Sequence, residues 1–294
     1  MASPETITNG VTWRDTSSNI LHAHGGGFIK VGSYYYWFGE NRYNDGDLSF
    51  KSVRCYRSTN LKDWEFRGDV LTDNSDPDLS FAKIERPKVI YCAATGKYVM
   101  WMHKEYGSHY GEARAAVATC STIDGNYTYQ GSFQPLGYMS RDCTTFVDDN
   151  GSAYFISAAN ENYDLHVYRL TSDYENISYL VQILWAGGHR EAPAMFKRNG
   201  YYFLVTSGCT GWDPNQGKYA YASSIAGTWS SLQDFGNGNN YDSQPTYVIP
   251  VSGSSTTSYL YCGDRWMDPG WFDSKYIWLP ITFNSSTSIS LPYY

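Results

Sequence analysis

Four side chains able to move a proton or hold a water recur along this 294-residue chain at intervals of about 50 to 60 residues: Glu85, Asp142, Glu191 and Gln244. A fifth polar residue, His24, precedes them at a similar spacing. Carboxyl groups gathered at one depression are the minimum apparatus for glycoside hydrolysis. One acid protonates the leaving oxygen while a second group handles water or the sugar carbon. Burial among aromatic residues raises a carboxyl pKa, as a general acid requires, and a neighbouring carboxylate raises it further. Arg86, Arg141 and Arg190 adjoin the three carboxyl groups, so the alternative is three structural ion pairs. Recurrence at one repeat position favours a shared site.

The elements that must position these residues are five aromatic-rich hairpins, FIKVGSYYYW (28–37), VIYCAATGKYVMW (89–101), TTFVDDNGSAYFI (144–156), AMFKRNGYYFLV (194–205) and TYVIPVSGSSTTSYLYC (246–262). Preceding them are HAHGGG, IERPK, SRDC, HREAP and DSQPT. A repeat of this length with several strands per unit predicts an all-β fold, a five-bladed β-propeller formed as one domain over residues 1–294. His24, Glu85, Asp142, Glu191 and Gln244 then start equivalent strands and converge on the axis. An outer pair of strands follows each hairpin, and the fifth (274–284) departs from the pattern of the others. Asn150-Gly151 and Asn199-Gly200 predict two-residue turns, because both central positions of a type I′ turn need positive φ. A β-sandwich is the alternative, and no amphipathic helix longer than two turns is present.

Composition narrows the partner. Tyr, Trp and Phe make up 17% of the chain, and Tyr and Trp join flat apolar faces to a hydrogen-bonding edge, which is what a sugar ring requires of its site. A net charge of −7 without basic runs argues against nucleic acid and anionic membranes, and no apolar stretch is long enough to span a bilayer. The N-terminus lacks the regions of a signal peptide, as a mature start would. Six Cys without CxxC spacing allow up to three disulfides, or none. Sequons at Asn126, Asn150, Asn176 and Asn284 permit glycosylation and secretion.

Other motifs carry less. His22 and His24 share one strand face, but no third metal ligand follows at suitable spacing, so no metal and no cofactor are expected, and a structural calcium is not indicated. His24-Gly25-Gly26-Gly27 looks like a lipase oxyanion motif, yet the chain has no GxSxG elbow; the glycines are better explained by backbone passing close to the axis. The loops KEYGSHYGEAR (104–114) and SGCTGWDPNQG (207–217) offer Tyr110 and Trp212 for stacking on a sugar, with Glu40, Asn162 and Thr210 available to its hydroxyls.

At these residues the chain resembles glycoside hydrolase family 43, and within it the exo-β-1,3-galactanases. The resemblance runs through AHGGGFIKVGSYYYWFGE, IERPKVIY, ATGKYVMWMH, SRDCTTFVDDNG, HREAPAMFKRNGYYFLVTSGCTGW and the segment Gly263 to Trp266. It implies a five-bladed propeller with Glu191 as acid and Asp142 as the residue that tunes it. The family's usual base is an Asp on the first blade, where this chain reads HAHGGG. In the galactanase subgroup a Gln is proposed to hold the attacking water, including as its imidic acid tautomer. Gln244 fills that place, with Glu85 a further carboxylate near the reducing side of the bond. The resemblance implies inverting release of galactose from β-1,3-galactan, by a secreted monomer. The same-family alternatives are α-L-arabinofuranosidase and β-xylosidase; a non-catalytic glycan-binding propeller is another. In related fungal enzymes a carbohydrate-binding module often follows the catalytic domain.

Overall fold

Alternating apolar residues turn each hairpin segment into a pair of antiparallel strands, and two further strands complete a sheet. A computed structural model describes residues 6–44 and 49–294. The first sheet is β1 (His24–Val31), β2 (Tyr34–Arg42), β3 (Phe50–Ser58) and β4 (Glu65–Thr72), in that order. The second is β5 (Ala82–Cys92), β6 (Lys97–Tyr106), β7 (Arg114–Cys120) and β8 (Thr128–Phe133). The third is β9 (Cys143–Val147), β10 (Ala153–Ala159), β11 (Asp164–Leu170) and β12 (Ile177–Leu184). The fourth is β13 (Arg190–Arg198), β14 (Tyr201–Gly208), β15 (Gly217–Ala222) and β16 (Gln233–Phe235). The fifth has three strands, β17 (Gln244–Ser252), β18 (Thr257–Arg265) and β19 (Lys275–Pro280), followed by the small hairpin β20 (Thr282–Phe283) and β21 (Ile289–Ser290).

These sheets are the five blades of a β-propeller, and each seam between neighbours holds its own apolar core. Phe38, Val53 and Leu71 of blade 1 pack with Ile84, Met100 and Ala116 of blade 2. The ring closes where Phe28, Trp37 and Trp64 of blade 1 meet Ile249, Tyr276 and Trp278 of blade 5. Trp13, upstream of every blade, packs edge-on against Trp37 and Trp278. Among the described residues blade 5 has no fourth strand, and a side chain pairs with its edge. The Asn9 amide donates to Trp278 O at 2.9 Å and accepts from Trp278 N at 2.8 Å, pairing with the edge of β19 as a strand would. Much of the aromatic excess therefore serves the seams. Trp37, Trp64 and Trp101 are fully buried, a use that composition could not separate from sugar binding.

One turn expectation is corrected. Asn199 and Gly200 both have positive φ, 50° and 81°, as a two-residue type I′ turn requires. At Asn150-Gly151 only Gly151 does, and the connection is the longer loop 148–152, in which Asp148 N bonds Ser152 O. Among the described residues helix is confined to single 3₁₀ turns, and no helix is long and apolar enough to cross a membrane.

Candidate active site

A local break in the ladder re-aims the polar residue of three inner strands. The register of β1 against β2 shifts between His24 and Gly27, that of β5 against β6 between Glu85 and Lys88, and that of β13 against β14 between Glu191 and Ala194. Such bulges re-aim a side chain. The residue after each polar group is left-handed: Gly25 at φ 58°, Arg86 at 57° and Ala192 at 50°. The triglycine is explained here. A Cβ on Gly25 would lie 2.1 Å from Glu40 Oε1, and one on Gly26 2.4 Å from Trp37 Nε1.

Around the axis these strands enclose a cleft of about 180 Å³ lined by Glu40, Glu85, Asp142, Glu191 and Gln244 together with Arg42, Arg86, Arg141, His103, Tyr110, Asn162, Trp212 and Trp266. Glu191 is buried. Its Oε1 accepts from Gln244 Nε2 at 3.0 Å and its Oε2 from Asn162 Nδ2 at 3.2 Å. Burial first, then the negative charge of Asp142, pushes the Glu191 pKa up to about 8. A carboxyl so placed carries a proton at neutral pH. Asp142 Oδ2 accepts from Ala192 N at 3.1 Å and faces Arg86 Nη2 at 3.2 Å.

Glu85 is arranged oppositely. Burial alone would raise its pKa, but a hydrogen bond from His103 (3.1 Å) and the charge of Arg42 (3.1 Å) hold it below the usual carboxylate range, helped by Tyr110 Oη at 2.8 Å. His103 is itself pushed up to about 9, because hydrogen bonds to Glu105 and Glu85 outweigh its burial. Glu40 Oε2 accepts from Arg42 Nε at 3.0 Å and from Arg42 Nη2, and Oε1 accepts from Arg86 N at 3.0 Å; burial, only partly offset by Arg42, raises the Glu40 pKa.

Gln244 lies across the cleft floor. Nε2 donates to Glu191 and to Ser207 Oγ (3.1 Å), while Oε1 accepts from Trp266 Nε1 (2.8 Å) and Arg86 Nη2. Trp212 stands edge-on to Trp266 with ring centroids 5.1 Å apart, and the Arg42 guanidinium lies against both indoles. Arg42 Nη1, Arg141 Nε and Asn162 Oδ1 are buried without a hydrogen-bond partner among the described residues, although Arg141 Nε lies 3.7 Å from Glu105 Oε1.

Eight of the ten site residues read from the sequence line this cleft; two do not. His24 sits behind it, Nδ1 on Asp264 at 3.1 Å and the ring stacked on Tyr276 at 4.5 Å. A bulge buries it in the blade 1/5 seam rather than turning it to the opening. Thr210 is exposed and folded onto its own loop, donating to Asp213 O and accepting from Asn215. Sequence reasoning missed Arg42, His103 and Trp266, and noted Arg86 and Arg141 only as ion-pair partners. The signal was the hairpin register, since Glu85 pairs with His103 and His24 with Glu40 across their ladders. A second cavity, of about 400 Å³ and largely apolar, opens among Phe28, Ile90, Phe146, Phe196 and Tyr247, in the halves of the inner strands remote from these carboxyl groups.

Glu85, His103 and Asp142 each place a ligand atom within 4.8 Å of the others. Both nitrogens of His103 face carboxylates, and each of the two acids is matched to cations, so the trio has the chemistry of an ion-pair network. His22 and His24 lie with ring centroids 6.4 Å apart, and His22 packs on Phe272. All six cysteines are free thiols.

A propeller with an acid of raised pKa among carboxylates in a small axial cleft defines a glycoside-hydrolase type of site. The family model of glycosyl hydrolases family 43 matches residues 27–240, and the chain belongs to that family. It is similar to the solved exo-β-1,3-galactanase of Clostridium thermocellum, at 56% identity and a TM-score of 0.95, covering 98% of this chain and 65% of that one. An exo-β-1,3-galactanase of Phanerochaete chrysosporium, solved with β-1,3-galactotriose, is 38% identical over 98% of this chain and 66% of that one, with a TM-score of 0.92. The chain thus spans about two thirds of the length of these two proteins. A β-1,3-galactosidase solved with galactodeoxynojirimycin matches over 98% of this chain and 99% of its own, at 34% identity and a TM-score of 0.92. Comparison with curated proteins returned no match.

Proposed function

We propose that this chain is an inverting, exo-acting β-1,3-galactanase that releases galactose, including galactose bearing a β-1,6 side chain, from the β-1,3-galactan of arabinogalactan. The observation that carries the reading is Glu191, a buried acid with its pKa raised to about 8, in a cleft of about 180 Å³. A cleft that small suits a single terminal sugar. The names of the similar proteins point to the same substrate.

Glu191 donates its proton to the leaving glycosidic oxygen as the bond to the anomeric carbon breaks. Water, held by Gln244, adds to the opposite face, and the proton it sheds restores Glu191 through solvent. Gln244 cannot form a glycosyl ester. Of the other cleft carboxylates, Glu85 is occupied by three donors, Glu40 by Arg42 and Arg86 N, and Asp142 by Ala192 N and Arg86, so a covalent intermediate has no good nucleophile and inversion follows. The fixed negative charge of Glu85 is suited to stabilising the oxocarbenium-like transition state instead. We also place the protein outside the cell, as a monomer; all four sequon asparagines are exposed.

Product analysis on arabinogalactan, β-1,3-galactan, xylan and arabinan tests the substrate, and early proton NMR tests the stereochemistry. Galactose from β-1,3-galactan, appearing first as the α-anomer, is expected. Release of pentose only, or an initial β-anomer, would overturn the corresponding part of the reading.

A further inference from the structure

Arg86 touches two of the groups assigned to chemistry, Asp142 and Gln244, yet the mechanism above gives it no part. It is 4% exposed and adopts φ 57°, a left-handed conformation that is unfavourable for a non-glycine residue. Its backbone N–H is held by Glu40, and its guanidinium reaches Asp142 Oδ2 (3.2 Å), Pro245 O (2.8 Å) and Gln244 Oε1 (2.5 Å).

The contact with Gln244 decides what that side chain can do. Oε1 faces two donors, the Arg86 guanidinium and the Trp266 indole N–H. Turning the amide over would set its NH₂ against both. The imidic acid tautomer would place a hydroxyl proton on the same oxygen, against a fixed cation. Both alternatives bring donor against donor in a buried site, where an unmatched polar contact costs most. Only the ordinary amide fits, with Nε2 turned to Glu191 and Ser207.

We propose that Arg86 is the positioning residue of this site: through Oε1 it locks Gln244 in its amide form with Nε2 toward Glu191, so that Gln244 presents water as a hydrogen-bond donor and does not act as a base. The inference rests on the hydrolase reading. Arg86 also adds a positive charge beside Glu191 that opposes the effect of Asp142 on it.

The test is a double-mutant cycle between Arg86→Met and Gln244→Ala, on whichever glycoside the unmodified chain turns over, with folding checked by circular dichroism. Arg86→Met alone should lower kcat at least about tenfold with KM within about threefold, and should lower it less than about threefold further in the Gln244→Ala background. Its alkaline limb should move to higher pH, which a purely structural role would not cause. Equal losses in both backgrounds, or a kcat within about threefold of wild type, would overturn the proposal. If Arg86→Met does not fold, Arg86→Lys carries the same cycle, because lysine cannot reach Gln244 and Asp142 with two coplanar donors. Failure of both variants to fold would assign Arg86 to the architecture and overturn the proposal as well. Absence of any turnover by the unmodified chain would instead overturn the hydrolase reading.

Discussion

The backbone N–H of Ala192 donates to Asp142 Oδ2 at 3.1 Å, and the contact has two counterparts around the ring. Arg86 N donates to Glu40 Oε1 and Gly25 N to Asp264 Oδ2, each at 3.0 Å. In every case a left-handed bulge residue on an inner strand is held by a carboxylate of the preceding blade, blade 5 preceding blade 1. A left-handed bulge points its N–H out of the ladder, and a buried N–H must find an acceptor. Asp142 is therefore both an inter-blade clamp and the charge beside Glu191.

That double role makes Asp142→Asn a clean substitution, since the amide oxygen can still accept from Ala192 while the charge is gone. Asp142 raises the Glu191 pKa, so its loss lowers it. A general acid works only while protonated, and activity falls as pH rises through its pKa. The alkaline limb of kcat/KM should lie near 8 in the wild type and move to lower pH in the variant. A pH-rate titration checks this, and an unmoved limb in a folded variant counts against the modulating role.

Glu191→Gln should cost about 10²–10⁴ in kcat on β-1,3-galactan, the range that general acid catalysis supplies. A sugar alkoxide leaves poorly without a proton, whereas a nitrophenolate leaves readily. The loss on a nitrophenyl galactoside should accordingly be much smaller. Comparable losses on both substrates would mean that Glu191 does something other than protonate the leaving group.

Gly25→Ala probes the same bulge geometry in blade 1. The added methyl would meet Glu40 Oε1 at 2.1 Å at a φ of 58°. Overpacking and left-handed strain together predict a loss of about 2–5 kcal/mol, read as a lower thermal midpoint. Because Glu40 would have to leave Arg86 N, activity should fall even at temperatures where the variant is folded. An unchanged midpoint would show that the loop gives way, and that close approach does not explain the glycine.

Periodicity and hairpin chemistry made the blade count and Glu85, Asp142, Glu191 and Gln244 legible, because a side chain at a repeated strand position must face the same axis; Glu40, Tyr110, Asn162 and Trp212 were read instead as aromatic and polar side chains suited to a sugar. The bulges were not legible. Arg86 and Ala192 have no left-handed propensity, and only the ring's closure and the waiting carboxylates of the neighbouring blades force them there. His24 was misplaced for that reason, since a strand-start residue was expected at the opening while Asp264 and Tyr276 draw it into the seam. Arg42 and His103 escaped notice because they lie on second strands, opposite or beside residues already found.

Gln244 carries the remaining claim, and its 3.0 Å bond to Glu191 sharpens it. No water fits between atoms so close, while an inverting site separates its two catalytic groups by about 6.5–9.5 Å. Sugar binding must break this bond, freeing Nε2 to hold water on the far face of the ring while Arg86 and Trp266 keep Oε1 in place. Since the amide then contributes mainly in the transition state, Gln244→Ala should lose most of kcat while substrate affinity stays within about tenfold. Steady-state kinetics with a binding titration on the same variant separates the two. If kcat stays above about a third of the wild-type value, water is activated by another group, and the ionised Glu85 becomes the first candidate to replace.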